Sequence, residues 1–206
     1  EIFSSLKKTV FDAHRFPGLL DFLKASFFGL CAVNAVILFM SIYASRVFGL
    51  DKVQIISLIK FSTVFGIIGC FFSGSLSDYI GYKRSMSAVF ILWIICFLFG
   101  AFVKNTQLYW LLGALVGITL GSTWVVSRAL AIKLAPEEKI GEIFGLFNFV
   151  GYLSAIVGAL FWGIIVLILS PFGVWGYRIT LLSLILFMAV GFIFLLRLPK
   201  DKANTK

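Results

Sequence analysis

Six long apolar runs, separated by short polar segments, dominate the sequence. They cover residues 22–45, 53–73, 85–103, 108–130, 144–169 and 179–196. A helix needs about 20 apolar residues to cross a hydrocarbon core about 30 Å thick, and each run is close to or above that length. Strands are excluded, because backbone groups within lipid must be satisfied inside the segment. The pattern predicts an all-α, polytopic membrane protein with six transmembrane helices.

The same pattern divides the chain into three parts. Residues 1–20 are predicted to form a cytoplasmic segment, residues 21–198 a six-helix transmembrane domain, and residues 199–206 a cytoplasmic tail. The sequence starts at Glu1 and has no early apolar run typical of an export signal. We therefore expect it to be a fragment of a longer chain.

Composition supports a membrane protein and argues against other classes. Hydrophobic residues make up 61% and charged residues 13%, against about 45–50% and about 25% in soluble domains. The net charge of +9 lies in short segments between apolar runs, so it does not form the basic face that a nucleic-acid-binding domain needs. Three cysteines lie inside apolar runs without metal-ligand spacing, and no cofactor or metal is expected.

Positive charge predicts the orientation, because cytoplasmic loops retain Lys and Arg during insertion. With six spans, both termini lie on one side of the membrane. Only Arg46, Lys52, Lys104 and Arg178 map to the opposite side. Twelve map to the side of the termini: Lys7, Lys8, Arg15, Lys83, Arg84, Arg128, Lys133, Lys139, Arg197, Lys200, Lys202 and Lys206. The termini are therefore predicted to be cytoplasmic.

The loop between the second and third helices carries the most specific motif. Residues 74–84 read GSLSDYIGYKR, with Gly74, Asp78, Gly81, Lys83 and Arg84 at the key positions. This loop resembles the signature loop of the major facilitator superfamily. The resemblance implies a conformational latch, in which the Asp78 carboxylate accepts hydrogen bonds from the amides at the N-terminus of a neighbouring helix. The alternative is an ordinary charged turn that joins two spans.

This loop departs from the family pattern at two positions. Tyr79 and Tyr82 stand where the family usually has Arg. We therefore expect a thinner network of charges around Asp78.

A second stretch narrows the resemblance. Residues 127–136, SRALAIKLAP, and 142–147, EIFGLF, look like the segment joining the tenth and eleventh helices in the autophagy-associated vacuolar amino-acid effluxer family and its prokaryotic relatives. The resemblance implies the carboxyl half of a twelve-helix secondary transporter of small solutes, working by alternating access, with residues 1–20 in the central cytoplasmic loop. Its expected partners are the amino-terminal six-helix half, membrane lipid and an amino-acid-like solute. The membrane would be the prokaryotic inner membrane, or the vacuolar membrane in a eukaryote.

Polar residues halfway along the helices are the candidates for a solute cavity, since such transporters bind near the bilayer midplane. They are Asn34, Lys60, Thr119, Ser122, Thr123 and Trp124. The alternative for the amide and the hydroxyls is hydrogen bonding between helices. A lysine within a span is costly, so Lys60 either lines a cavity or extends to the outer interface.

Two further sets of residues on the fourth and fifth helices have open roles. Gly113, Gly117 and Gly121 have the four-residue spacing that lets another helix approach closely, either as static packing or as a gating surface. Arg128 is a candidate to pair with Glu142 or Asp78, and the alternative is extension to the interface.

The two alternatives to a transporter are a membrane enzyme and a non-transporting receptor or scaffold. A membrane enzyme needs a nucleophile and base, a metal cluster or an acidic pair, and the single histidine, His14, lies in a basic segment. Catalysis is therefore not expected. A non-transporting receptor or scaffold on the same fold is the alternative to a transporter, because a fold does not dictate function. In the first helix the sequence continues as residues 29–32, GLCA, where the resembling family tends to place an acidic residue.

Overall fold

The computed structural model describes residues 18–103 and 105–199. Six helices span most of this length: α1, Leu19–Phe48; α2, Lys52–Ile80; α3, Tyr82–Phe102; α4, Thr106–Leu134; α5, Ile140–Leu169; and α6, Val174–Arg197. Single 3₁₀ turns at Glu137–Lys139 and Ser170–Phe172 precede α5 and α6. All six are long and apolar enough to cross a membrane, and no strand occurs in the described part of the chain. The predicted fold class is confirmed.

The helices extend beyond the apolar runs at most of their ends. The largest differences are at α2, which continues to Ile80, and at α6, which begins at Val174. Residues 74–84, which were predicted to form the loop between the second and third helices, are helical apart from Gly81, and much of the segment between the last two apolar runs is helical as well. Hydropathy detects only the part of a helix that sits in hydrocarbon, whereas the helix continues as long as its backbone bonds are favourable. Residues 1–17 of the predicted cytoplasmic segment 1–20, residues 200–206 of the predicted tail 199–206, and Lys104 lie outside the described residues.

Short caps separate α1 from α2. Gly49 ends α1 with φ 67°, a left-handed conformation that suits glycine, and its N–H donates to the Ser45 carbonyl. Asp51 starts α2 as part of a capping box: its Oδ1 accepts from the Gln54 N–H at 2.7 Å, and the Gln54 Oε1 accepts from the Asp51 N–H at 3.1 Å. Polar caps of this kind explain why helix follows helix with so few loop residues.

The helices pack in two groups, one formed by α2 and α4 and the other by α1, α5 and α6. α2 packs most extensively on α4, while α1 lies against both α5 and α6, and α3 joins the groups by contacting α4 and α6. The Phe90 ring of α3 lies where α1 and α6 meet. A Cβ added at Gly29 of α1 or at Gly191 of α6 would lie 2.7 Å from atoms of this ring, so the two glycines leave the space that the ring fills. α2 and α5 bury the smallest shares of their apolar stretches.

Candidate functional site

The α4 hydroxyls that are cavity candidates lie buried between helices of this unit. Thr119, Ser122 and Thr123 are each 5% exposed or less. The Thr123 Oγ1 accepts from the Trp93 indole Nε1 at 2.9 Å, and the Ser122 Oγ donates to the carbonyl of Gly69 at 3.3 Å and to that of Ile118 in its own helix. These residues face α3 and α2. Buried hydroxyls gain hydrogen-bond partners in this position that lipid could not offer.

Trp124 and Arg128 form a pair on the cytoplasmic half of α4. The Arg128 guanidinium lies 5.5 Å from the centroid of the half-buried Trp124 ring. Within the described residues, Arg128 forms no ion pair with Glu142 or Asp78. Glu142 is exposed in the first turn of α5, where a carboxylate favours the helix dipole. The indole, rather than a carboxylate, is the contact that the structure gives to Arg128.

Asn34 connects α1 to α5 and begins a polar stripe. Its Nδ2 donates to the Ser154 Oγ at 3.2 Å, and its side chain is half-buried. Ser41 and Ser45 follow on the same side of α1, at a spacing that brings residues onto one helix face, and both are exposed. The exposed side of α1 therefore combines an amide with two hydroxyls.

Lys60 lies on the exposed side of α2. Its neighbours on this surface are Ser57 and Thr63, both exposed, and the Thr63 hydroxyl donates to the Ile59 carbonyl of its own helix at 2.8 Å. Lys60 makes no hydrogen bond or ion pair within the part of the chain that the structure describes. Both roles predicted for Lys60, cavity lining and extension to the interface, are compatible with this position.

The exposed surfaces of the six helices differ in polarity. Every exposed residue of α3 and α6 is hydrophobic, apart from Arg84 and Arg197 near the helix ends. In contrast, α1, α2 and α5 expose polar residues within their spans: Ser41, Ser45, Ser57, Lys60, Thr63, Asn148 and Tyr152. A hydrophobic surface is stable in contact with lipid, whereas exposing polar side chains to lipid costs free energy. The side formed by α3 and α6 is therefore suited to lipid, and the side formed by α1, α2 and α5 is suited to a protein or aqueous neighbour.

Asp78 and Gly81 form the turn of the signature loop. Gly81 is the single residue between α2 and α3, and its φ of 93° lies in a region that disfavours other residue types. Across this turn the Tyr82 hydroxyl donates to the Asp78 Oδ1 at 2.6 Å. Asp78 itself is exposed. A tyrosine in the place of the family's usual arginine thus supplies a neutral donor to the carboxylate.

Lys83 ties the signature loop to α6. Its Nζ donates to the Leu196 carbonyl at 2.9 Å and also to the Leu198 carbonyl. These carbonyls belong to the C-terminal end of α6, where a cation is favoured by the helix dipole. Arg84 is exposed, and a Cβ on Gly74 would make only an ordinary contact with Val125, at 3.8 Å. The basic end of the loop is therefore anchored inside this six-helix unit.

The three glycines of α4 lie against α2, and two of them lie in contact with its backbone. A Cβ on Gly117 would lie 2.1 Å from the Ser62 carbonyl oxygen, and one on Gly121 would lie 2.1 Å from that of Gly66. At Gly113 the nearest atom is the Leu58 Cδ1, at 2.7 Å. Real Cβ atoms do not approach backbone so closely, so the α2–α4 contact requires glycine at positions 117 and 121, whereas at Gly113 the end of the Leu58 side chain could shift.

Comparison with known families agrees with the fold and the loop geometry. The sequence model of the Major Facilitator Superfamily matches residues 22–206. The chain belongs to the Major Facilitator Superfamily. The narrower likeness to the autophagy-associated effluxers remains a prediction.

The relatives in this superfamily are longer proteins. An uncharacterized protein of Aquifex aeolicus is 26% identical over 168 residues, which cover 82% of this chain and 43% of the relative. The uncharacterized MFS-type transporter YxiO of Bacillus subtilis is 27% identical over 210 residues, which cover 98% of this chain and 46% of the relative. The chain spans about half the length of the curated relatives it matches.

Two solved structures share the superfamily fold. The proton:xylose symporter XylE bound to 6-bromo-6-deoxy-D-glucose matches with a TM-score of 0.65 at 20% identity, covering 88% of this chain and 45% of XylE. A partially occluded inward-open conformation of the E. coli xylose transporter XylE matches with a TM-score of 0.60, also at 20% identity, covering 89% of this chain and 48% of that one. At this identity the likeness shows the fold alone.

Several residues of this superfamily member were missed by reasoning from the sequence. Ser41, Ser45, Asn148 and Tyr152 are single polar residues in apolar runs, and the side of the helix that they occupy decides their role. A helical repeat could have identified the α1 stripe, because Asn34 and Ser41 are seven residues apart. No sequence signal indicates that Lys83 reaches the distant end of α6.

Proposed function

We propose that this chain is the carboxyl-terminal half of a secondary transporter that moves a small solute by alternating access. The observation that carries the proposal is the superfamily match over residues 22–206, in a chain that spans about half of its relatives. Superfamily transporters consist of two six-helix halves with the solute site between them. The partner is then an amino-terminal half of the same protein.

The polar surface of α1, α2 and α5 supports this assignment. Polar side chains along a span are costly in lipid and usually face a bundle interior or a water-filled cavity. α2 and α5 are also the least buried helices of this unit. Docking of an amino-terminal half over this side would cover both helices and enclose the α1 stripe of Asn34, Ser41 and Ser45.

The chemistry of the stripe favours a neutral or zwitterionic solute, of which amino acids are the candidates. An amide and two hydroxyls offer both donors and acceptors without a net charge. Every acidic residue in the described part of the chain lies outside the helices or within three residues of a helix end. If transport is coupled to protons, the carboxylate that carries them belongs to the amino-terminal half.

The signature loop would act as the latch. Asp78 accepts one hydrogen bond from Tyr82 and is otherwise exposed, so its carboxylate is available to the N-terminal amides of a helix in the other half. Lys83 holds the loop to α6, so a force on Asp78 would be transmitted to this whole unit. The twelve-to-four distribution of Lys and Arg supports termini and a latch on the cytoplasmic side. We expect the membrane to be a prokaryotic inner membrane, or a vacuolar membrane if the source is eukaryotic.

The test is transport by the full-length protein in proteoliposomes, with a panel of radiolabelled amino acids and an imposed proton gradient. Asp78→Asn should reduce the initial rate by about two- to tenfold, the range expected from an interaction of a carboxylate with a helix terminus. Asp51→Asn is the matched control, because it is the same substitution at the other end of α2 and asparagine caps a helix equally well.

Two outcomes would contradict the proposal in different ways. If neither Asp78→Asn nor Asp51→Asn changes the flux, the latch role of Asp78 is contradicted, whereas the proposal that the protein is a transporter stands. The absence of flux for every amino acid, with correctly inserted protein, would overturn the amino-acid assignment and favour another solute or a scaffold.

A further inference from the structure

Two cations from different helices lie near one aromatic ring at the end of the bundle where α1 begins and α6 ends. The Lys24 Nζ of α1 is 5.5 Å from the centroid of the Phe194 ring, and the Arg197 Cζ of α6 is 5.3 Å from it. Both cations are exposed, and Phe194 is half-buried. Contact with an aromatic ring is worth only about 0.5–1 kcal/mol at exposed sites, so the ring alone is weak compensation for two neighbouring positive charges.

Among the described residues, no carboxylate pairs with either cation. Neither Lys24 nor Arg197 forms an ion pair within the residues that the structure describes. Asp21 lies one turn before Lys24 on α1 and is half-buried, but no ion pair joins the two. Two cations beside one ring, each without a carboxylate partner in this part of the chain, attract an anion, and both Lys and Arg bind phosphate.

The surface next to the cations is apolar and aromatic. Phe28 of α1 stacks on Phe194 with a centroid distance of 5.9 Å and an angle of 10°, and it also contacts Phe187 at 6.2 Å. Phe161 of α5 closes this row at 4.7 Å from Phe187. Phe187 and Phe194 are two turns apart on α6, which is about 10 Å along its axis. The row therefore runs from the interface toward the middle of the membrane, beside the hydrophobic exposed surface of α6.

We propose that Lys24, Phe194 and Arg197 form a binding site for an anionic phospholipid. The two cations hold the headgroup phosphate, and an acyl chain lies along the row of Phe28, Phe187 and Phe161. Charge complementarity selects an anionic lipid over a zwitterionic one, because a second positive group on the headgroup would be repelled by the pair. The lipid would hold α1 and α6 together at this end, independently of whether the protein transports.

Native mass spectrometry of the detergent-solubilised full-length protein tests the site. Phosphatidylglycerol and phosphatidylcholine of equal chain length are added at equal concentration, and the ratio of their bound fractions is measured. The wild-type protein should retain phosphatidylglycerol preferentially. The double variant Lys24→Gln/Arg197→Gln should lower this ratio by about fivefold or more, the effect expected from losing one or two charges near an anionic headgroup.

A control variant separates the site from net charge. Arg46→Gln/Lys52→Gln removes the same charge from exposed positions at the opposite end of the bundle, and its ratio should change by less than about twofold. The charge-conserving exchange Lys24→Arg/Arg197→Lys should keep the wild-type ratio, which guards against misfolding of the first variant. The proposal is overturned if the wild type shows no preference for phosphatidylglycerol or if both charge-removing variants lower the ratio equally. Displacement of the lipid by millimolar inorganic phosphate would likewise contradict it, because the apolar row would then contribute nothing.

Discussion

The guanidinium of Arg178 closes the C-terminal end of α3 by donating to the carbonyl of Ala101 over 2.8 Å. Its second terminal nitrogen donates to the Val103 carbonyl over 3.2 Å, and its charge lies 5.6 Å from the Trp175 ring. Arg178 is only 8% exposed. A cation at a helix C-terminus satisfies carbonyls that have no partner within the helix. Arg178 therefore lies inside α6, near its N-terminal end, and binds α3.

Replacement of Arg178 should destabilise the folded protein. Arg178→Gln removes two charge-assisted hydrogen bonds, and we expect a loss of about 2–4 kcal/mol in the free energy of unfolding. The loss of stability in Arg178→Lys should lie between those of the wild type and Arg178→Gln, because an ammonium group cannot donate to both carbonyls through a planar fork. Thermal unfolding of the purified full-length protein, followed by size-exclusion fluorescence, measures the effect. Arg46→Gln is the control at an exposed position on the same side, and an equal loss in both variants would contradict the role assigned to Arg178.

The glycines between α2 and α4 should not accept a methyl group. Gly117→Ala and Gly121→Ala each place a Cβ against a backbone oxygen of α2, and overpacking of this kind costs about 1–3 kcal/mol. Gly141→Ala has open space around the new Cβ and should be neutral or slightly stabilising. The same unfolding measurement ranks the three variants. If Gly117→Ala and Gly141→Ala were equally stable, α2 and α4 could move apart without cost, and the close contact between them would not require glycine.

The hydrogen bond between Trp93 and Thr123 should affect stability rather than solute affinity. Thr123→Val keeps the shape of the side chain but removes the acceptor of the indole N–H. In a double-mutant cycle with Trp93→Phe, the coupling energy should be about 0.6 kcal/mol, as for other hydrogen bonds between membrane helices. The KM for the transported solute should stay unchanged in Thr123→Val. A large increase in KM without loss of stability would place Thr123 in the cavity after all.

Lys83 should protect the last turn of α6. Lys83→Gln removes the charge that faces the Leu196 and Leu198 carbonyls, so amide hydrogen exchange in residues 193–199 should become about fivefold faster, corresponding to a loss of about 1 kcal/mol. Arg84→Gln is the control, because Arg84 is the adjacent basic residue and is exposed. Unchanged exchange in Lys83→Gln would show that the end of α6 is held by other contacts.

The fold could be predicted because the lipid solvent imposes one strong rule. Long apolar runs must be helices when their backbone is in hydrocarbon, and the structure has six. Helix ends were less predictable, since Tyr82 and Val174 lie in helices although their surroundings are polar or contain turn residues. There the capping residues and packing, rather than hydropathy, decide where a helix begins.

The candidate site was only partly predictable for a different physical reason. In an apolar run, a hydroxyl such as that of Thr123 or Ser41 has the same local sequence context whether it faces another helix or the exposed surface. The direction depends on which neighbour packs against each side, and this is a long-range property. The contact of Lys83 with α6 joins residues more than a hundred positions apart, which no local pattern records.

Cysteine accessibility in the full-length protein tests the central claim, that the polar side of α1 lines a solute pathway open alternately to the two sides of the membrane. A Ser41→Cys variant is made in a background in which Cys70, the half-buried native thiol, is replaced by serine. An Ile95→Cys variant on the hydrophobic exposed surface of α3 is the control. We predict that a membrane-impermeant maleimide labels Ser41→Cys from one side, that solute or a reversed gradient changes this rate, and that Ile95→Cys stays unlabelled. Equal inertness of both variants under all conditions would contradict the account.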